Sequence, residues 1–228
     1  KIGENDVVPT INKPLGVNNI NLNELEDLGL LENKQWESKI ADKWKISELS
    51  AVQVLNNYIA HAHLNYDKNR NIPSLRGTSS LSPYLKHGQI SPNKILSLIR
   101  KQNPRSWKNS QFIAEIGWRE FAAHLLFHYP KTINNPLRDE FQNFPWQFNG
   151  SDYDNWTKGL TGYPFVDAGM RQLWQTGWMH NRVRMVVASF LVKHLLIDWR
   201  RGAQWFWDTL FDADLASNTL GWQWVAGC

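Results

Sequence analysis

An all-α domain is the fold this sequence predicts, and three observations predict it. Apolar residues return at three- and four-residue steps in several segments, as one face of a helix requires. No stretch shows the apolar–polar alternation of a half-buried strand, and no internal repeat is present. Helix punctuation recurs as well, with Ser, Asp or Ser-Pro ahead of periodic runs and Gly behind one of them.

The elements follow in order. Residues 1–20, including VVPTINKPLGVNN, are rich in Pro, Asn and Gly without a period and read as a linker. A short helix is expected over 21–31, with Glu24, Glu26 and Asp27 in its first turns. Residues 32–47, with Trp36 and Trp44 among charges, are expected to pack peripherally, so 1–47 form a linker with peripheral helices. Ser47 caps a helix carried by Ala51, Val52, Leu55, Tyr58, Ile59 and His63 to about Tyr66. KNRNIP breaks it, because Pro73 forces Ile72 out of the helical region. Ser91-Pro92 opens a helix through Ile99, with proline at its first position. Residues 106–129 form a long helix whose inward face holds Ile113, Ile116, Phe121 and Leu125. The segments NFPWQF and YDNWTKGLTGYP, within 143–164, are turn-rich loops around Trp146 and Trp156. A short helix over 166–174 ends at Gly177. The clearest period covers 180–197, where Val183, Val186, Val187, Phe190, Leu191, His194 and Leu195 share one face. A further short helix follows Asp212, with Asp214 near its N-cap.

Composition bounds the function. With 228 residues, 42% hydrophobic content and a mean hydropathy of −0.48, the chain can bury a sizeable core as one domain. No apolar run approaches the roughly 20 residues of a membrane span, so no membrane partner is expected. The opening KIGENDVVPT has no signal-peptide character, and its first residue, Lys1, suggests a parent chain that begins earlier. One cysteine, Cys228, excludes an intrachain disulfide and four-cysteine zinc or iron–sulfur sites; no metal is expected, and a reducing cytoplasmic location is. The net charge of +4 and isoelectric point near 9.1 favour nucleic acid only weakly. Thirteen tryptophans, most of them between Trp146 and Trp224, suit a flat ligand, stacked bases or electron transfer, as well as an aromatic-rich core.

Three places carry chemistry. On the 180–197 helix, Asn181, Arg184, Met185 and Ala188 share a second face: an amide, a fixed cation, a thioether and a small residue that admits something flat. Asn218 and Trp222 stand four and eight residues beyond Asp214, and a buried Asp212 would need Arg184 as its partner. The same pattern fits a salt-bridged core between amphipathic helices. Thr78, Ser79, Ser80 and Ser82 set hydroxyls beside backbone N–H groups ahead of a helix, which makes an anion cradle or a plain cap. Glu115, Trp118 and Arg119 fall within about one turn of the long helix.

The runs RGTSSLSPYL, AEIGWREFAAHL, TGYPFVDAGMRQL, TGWMHNRVRM and DADLASNTLGWQW, in that order, resemble the flavin-binding helical domain of the photolyase/cryptochrome family, and within it the bacterial pyrimidine-dimer photolyases. The resemblance implies that 48–228 form the helical FAD-binding domain, shortened at its C-terminus, with the family's N-terminal α/β antenna domain absent. It implies FAD as cofactor, with Tyr66, Thr78, Ser79, Ser80, Leu81 and Ser82 toward the pyrophosphate. Arg184, Asp212, Asp214 and Asn218 would surround the flavin, Asn218 facing N5. Glu115, Trp118, Asn181, Met185 and Trp224 would receive damaged bases, and Trp222, Trp199 and Trp146 match an electron relay. The implied activity is carbon–carbon cleavage of cyclobutane pyrimidine dimers by light-driven electron donation from reduced flavin. Damaged DNA is the implied partner of a monomeric protein, with Arg182, Lys193, Arg200 and Arg201 toward its backbone. Two alternatives stay open: a cryptochrome-type photoreceptor without repair, and a cofactor-free helical binding module. Asn218, Trp224, Met185 and Glu115 favour repair, since plant cryptochromes carry aspartate at the first of these and tend to tyrosine at the second.

Overall fold

The computed structural model describes residues 35–102, 104–105 and 107–227. The linker expected over 1–20 and the helix expected over 21–31 lie outside them, as do Ser106 and Cys228. The described residues are helical, and the one β-type pairing among them is an isolated parallel bridge between Gln147 and Ile197. No helix among them is long and apolar enough to cross a membrane, and no group of three or more His, Cys, Asp or Glu is placed to hold a metal ion.

Two apolar clusters organise the chain. The first gathers α1 (Gln35–Lys43), α2 (Glu48–His61), α3 (Tyr66–Asn69), α4 (Ser82–Lys86), α5 (Pro92–Gln102) and the start of α6 (Gln111–His128). Ser47 caps α2 as expected, its hydroxyl accepting from the Ser50 N–H at 3.0 Å, and Ala51, Leu55 and Tyr58 face inward at helical steps. The helix stops at His61 rather than near Tyr66, giving way to a 3-10 turn, His63–Asn65, and α3. Trp44 is not peripheral. It is buried, stacks on Phe211 at 6.0 Å and donates its indole N–H to the Thr176 carbonyl at 2.9 Å, tying the start of the chain to its second half.

The second cluster gathers α7 (Gly150–Lys158), α8 (Pro164–Thr176), α9 (Asn181–Ser189), a π-turn (Phe190–His194), α10 (Trp199–Thr209) and α11 (Leu215–Ala226). Two of these depart from the sequence reading. The segment read as loop holds α7, because Asn149 caps it through the N–H groups of Ser151 and Asp152 and Gly159 ends it at φ 65°. Its Trp156 is fully buried and donates to the Val187 carbonyl at 3.0 Å. The helix α10, which the sequence reading missed, starts at the Asp198 cap and buries Trp199, Gly202 and Phe206 on one face.

The expected 180–197 helix is interrupted. From Phe190 the backbone widens to a π-turn, with the Leu195 N–H bonded to the Phe190 carbonyl at 3.1 Å. The extra residue shifts the buried face: Ala188 and Val192 go inward, while Val186 and His194, expected in the core, are exposed. On α6 the phase also slips by one: Phe112, Ile116 and Ala122 are buried and Phe121 is exposed.

The helix α11 is the hub, packing on α6, α10 and α9. Its Gln223 is buried, donating to the Thr132 and Asn135 carbonyls at 2.9 and 2.8 Å and accepting from the Leu137 N–H at 3.0 Å. Its Trp222 lies against Gly202, where an added Cβ would meet the indole Cη2 at 2.1 Å. Gly202→Ala should therefore destabilise the protein by about 1–3 kcal/mol through overpacking. Gly117→Ala, whose Cβ meets nothing within 4 Å, should be neutral or gain up to about 1 kcal/mol. Denaturant unfolding of both variants checks this, and an unchanged midpoint for Gly202→Ala would show that the α10–α11 contact yields freely.

Candidate functional site

Ring-binding chemistry needs a fixed charge held in place, and α9 supplies one. Arg184 Nη2 donates to both Asp212 oxygens at 3.0 and 2.8 Å, while its Nε donates to the Met179 carbonyl at 2.8 Å. The Asp212 side chain is only 2% exposed. The expected pair is therefore formed, and it joins α9 to the turn between α10 and α11. Asp214 caps α11 by accepting from the Ser217 N–H at 2.9 Å. One turn on, Asn218 donates from Nδ2 to the Ala203 carbonyl at 3.0 Å, which fixes its amide between α10 and α11.

The hydroxyl-rich turn is built differently from a plain cap. Leu81 occupies the cap position of α4 without a side-chain hydrogen bond, and Ser82 is already helical. Thr78, Ser79 and Ser80 are half-buried, and the Ser79 hydroxyl accepts from the Leu81 N–H at 3.4 Å. Leu81 itself is buried in the first core, so only its backbone can face a ligand. Ser80 adopts φ 54°, a left-handed conformation uncommon outside glycine, and Leu81 after it is right-handed. Alternating handedness of this kind forms a concavity of N–H groups that suits an anion. Gly77 anchors the turn on α3, since a Cβ there would meet Asn69 at 2.6 Å.

Around α6, Glu115 accepts from Gln111 Nε2 at 2.7 Å and pairs with Arg70 at 2.7 Å. Arg70 also lies over the Tyr66 ring at 5.6 Å. Burial first, and then the Glu115 charge, push the Tyr66 phenol up to about 12, so it stays protonated near neutrality. Arg182, on α9, donates to Asn71 at 2.9 Å and toward the Met185 sulfur at 3.5 Å. Arg70 and Asn71 thus link the two helices, a role the sequence reading missed because it took KNRNIP only as a helix breaker. Trp118 and Trp224 are 55% and 72% exposed, and Asn181 is exposed.

Met185 and Trp224 share a cavity of about 620 Å³ with Tyr163, Phe165 and Phe190; Glu115, Trp118 and Asn181 lie outside it. Trp199 and Trp222 are buried in the second core, and the half-buried Trp146 packs against it. Trp146 and Trp199 share the wall of a separate cavity of about 260 Å³.

Comparison with known proteins gives this geometry a context. Residues 112–228 match the family model described as the FAD binding domain of DNA photolyase. The chain is 48% identical over 207 residues to a deoxyribodipyrimidine photo-lyase of Agrobacterium fabrum, covering 90% of the chain and 43% of that relative. It is 40% identical over 215 residues to cryptochrome-2 of Arabidopsis thaliana, covering 89% of the chain and 35% of that relative. The structure matches that of a bacterial class III photolyase from Agrobacterium tumefaciens with a TM-score of 0.85 at 48% identity, over 89% of the chain and 43% of that structure. The chain thus spans less than half the length of these relatives.

One further residue at the site escaped the sequence reading. His180 caps α9, its Nδ1 accepting from the Arg182 N–H at 3.1 Å, while its buried Nε2 has no partner. Burial, and then the charges of Arg182, Arg184 and Arg70, hold its pKa below the usual histidine value of 6.5. The unfolded chain therefore takes up this proton at a higher pH than the native one. The stability His180 contributes is complete above about 6.5 and declines as the pH falls from there toward the lower native pKa. In His180→Asn, which keeps a capping acceptor, the loss of unfolding free energy between about pH 7.5 and 5.5 should be shallower. Unfolding curves at the two pH values measure it; equal slopes would mean that His180 titrates alike in both states.

Proposed function

Because the chain belongs to the family of the FAD-binding domain of DNA photolyase, with FAD as cofactor, we propose that it forms the flavin-binding part of an enzyme that splits cyclobutane pyrimidine dimers in DNA under blue light. The buried Arg184–Asp212 pair carries this reading: a permanent cation, neutralised on one side and held rigid between helices, suits the edge of an electron-rich ring. The N–H concavity at Ser80 and Leu81 fits the pyrophosphate of the same cofactor. Bound and reduced, FAD supplies a light-activated one-electron donor.

This chain's own residues do the rest. Tyr66, Thr78, Ser79, Ser80, Ser82 and the Leu81 backbone would hold the phosphates, and Arg184, Asp212 and Asp214 the remainder of the cofactor. Asn218, with one N–H already spent on Ala203, offers its other amide atoms in a fixed orientation. The exposed indoles of Trp118 and Trp224, with Met185 and Asn181, would take a damaged base pair out of the stack, which costs less for a lesion than for an intact pair. Glu115, positioned by Gln111 and Arg70, would accept from a base edge. Trp222, Trp199 and Trp146 run from buried to half-buried and would pass an electron inward to restore the reduced cofactor. The same reading makes the parent a monomeric cytoplasmic protein that contacts the DNA backbone through Arg182, Lys193, Arg200 and Arg201. The 40% identity to a plant cryptochrome favours a second reading, a photoreceptor without repair.

Light-dependent dimer repair by the whole protein separates the two: repair supports the first, and flavin photoreduction with no repair supports the second. Trp199→Phe, which keeps most of the packing but is much harder to oxidise, should abolish photoreduction of oxidised flavin while sparing repair by chemically reduced protein. Normal photoreduction in that variant would place the electron's route elsewhere. Glu115→Gln should weaken binding to dimer-containing DNA by about 1–3 kcal/mol and lower the repair yield, with flavin content unchanged. Affinity should also fall steeply with salt. Equal affinity and yield would remove Glu115 from lesion recognition.

A further inference from the structure

The cavity of about 260 Å³ near the π-turn brings together groups that no other cavity combines. Two relay candidates, Trp146 and Trp199, form part of its wall. Phe141, Phe144 and Val192 make most of the remainder apolar, and the Phe144 ring stands 4.3 Å from that of Trp146. Lys193 is the only charged residue that lines it, and no carboxylate does. Arg200, over the Trp199 ring at 5.4 Å, adds a second cation nearby, partly offset by Asp198 at 2.8 Å. The fold builds this place deliberately: the π-turn and the left-handed Leu196, φ 53°, swing the chain so that Ile197 bridges Gln147 and Trp146 is laid beside Trp199.

We propose that this cavity binds a small planar anionic electron donor, of the enediol or phenolate class, in contact with the outer end of the indole series. The proposal rests on the relay reading given above. Size sets the first limit. Pockets for drug-sized ligands occupy about 300–1,000 Å³, so this one takes a single ring rather than a nucleotide. Polarity sets the second. Aromatic walls favour a flat face, and a lone lysine at an otherwise apolar site favours an anion over a neutral or cationic ring.

The electron transfer balances with ascorbate as donor. The oxidised indole of Trp146, a radical cation left when its electron moves inward to oxidised flavin, takes one electron from ascorbate monoanion. Neutral Trp146 is restored, and ascorbate becomes its radical anion and releases one proton. No bond between donor and protein forms. A donor held in the cavity quenches the radical without waiting for a collision.

Binding can be read in the dark, by titrating the whole protein with ascorbate and following the ¹⁵N-labelled indole signals. The Trp146 and Trp199 signals should shift together and saturate. Lys193→Gln should raise the half-saturation concentration about tenfold, roughly 1.4 kcal/mol. Added salt should weaken binding in the wild type more than in that variant. Ala226→Leu, which places a larger side chain on the cavity wall, should abolish the shift. Under blue light, flavin reduction should saturate at the same ascorbate concentration. No saturable shift, or one unaffected by Lys193→Gln, would overturn the site, and a photoreduction rate linear in ascorbate would overturn the donor role. The dark titration stands apart from the relay: normal photoreduction in Trp199→Phe would defeat that reading and the donor role with it, yet leave the binding result legible.

Discussion

A carboxylate taken almost wholly out of water must be paired, and Asp212 is the carboxylate on which the second half of this molecule depends. Its partner, Arg184, is committed on two sides, to Asp212 and to the Met179 carbonyl. Because Met179 precedes α9 and Asp212 follows α10, a single guanidinium fixes where three segments meet. Breaking such a pair by removing one member typically costs about 3–5 kcal/mol, far more than a surface ion pair contributes. The charge at the site is thus tied to the stability of the helices that present it.

Close packing supplies what charge does not. Gly202 lets the Trp222 indole lie against α10, Trp44 docks the first core on the second through Phe211 and Thr176, and Gln223 holds the loop near Thr132 to α11. Each contact joins residues far apart in sequence. The site sits where these long-range ties converge, and its side chains come from α6, α9, α11 and two turns. Rigid helices aim the groups, and the turns at Ser80 and Asp212 contribute backbone geometry no helix could offer.

The site was more legible in the sequence than the fold's irregularities were. Arg184 and Asp212 could be paired in advance, because a fixed cation on one helix face and an acid near a helix start have few other resolutions. The caps at Ser47 and Asp214 were readable for the same local reason. What escaped were features in which tertiary contacts overrule a local pattern. The stretch around Trp156 looks like loop because Asn and Gly dominate it, yet those residues are the cap and terminator of α7. Apolar spacing across 180–197 matches an uninterrupted helix, and nothing local announces the widened turn at Phe190. His180 and Arg70 were passed over because their significance lies in neighbours brought from elsewhere: three guanidiniums around one imidazole, and a carboxylate one helix away.

The widened turn has a consequence for how the sequence can change over time. It amounts to a one-residue insertion held inside a helix, and each α-helical residue turns the chain by about 100°. Upstream, the helix aims Arg184 and Met185 at one side of the molecule; downstream, Val192 and Lys193 point where an unbroken helix would not send them. A lineage that lost the extra residue would keep both stretches helical but rotate one against the other, severing Trp146 from Trp199 while leaving the Arg184–Asp212 contact in place. Single-residue deletions between 189 and 196 should therefore be far rarer among descendants than substitutions there, since length, more than side-chain identity, keeps the two ends of this segment in phase.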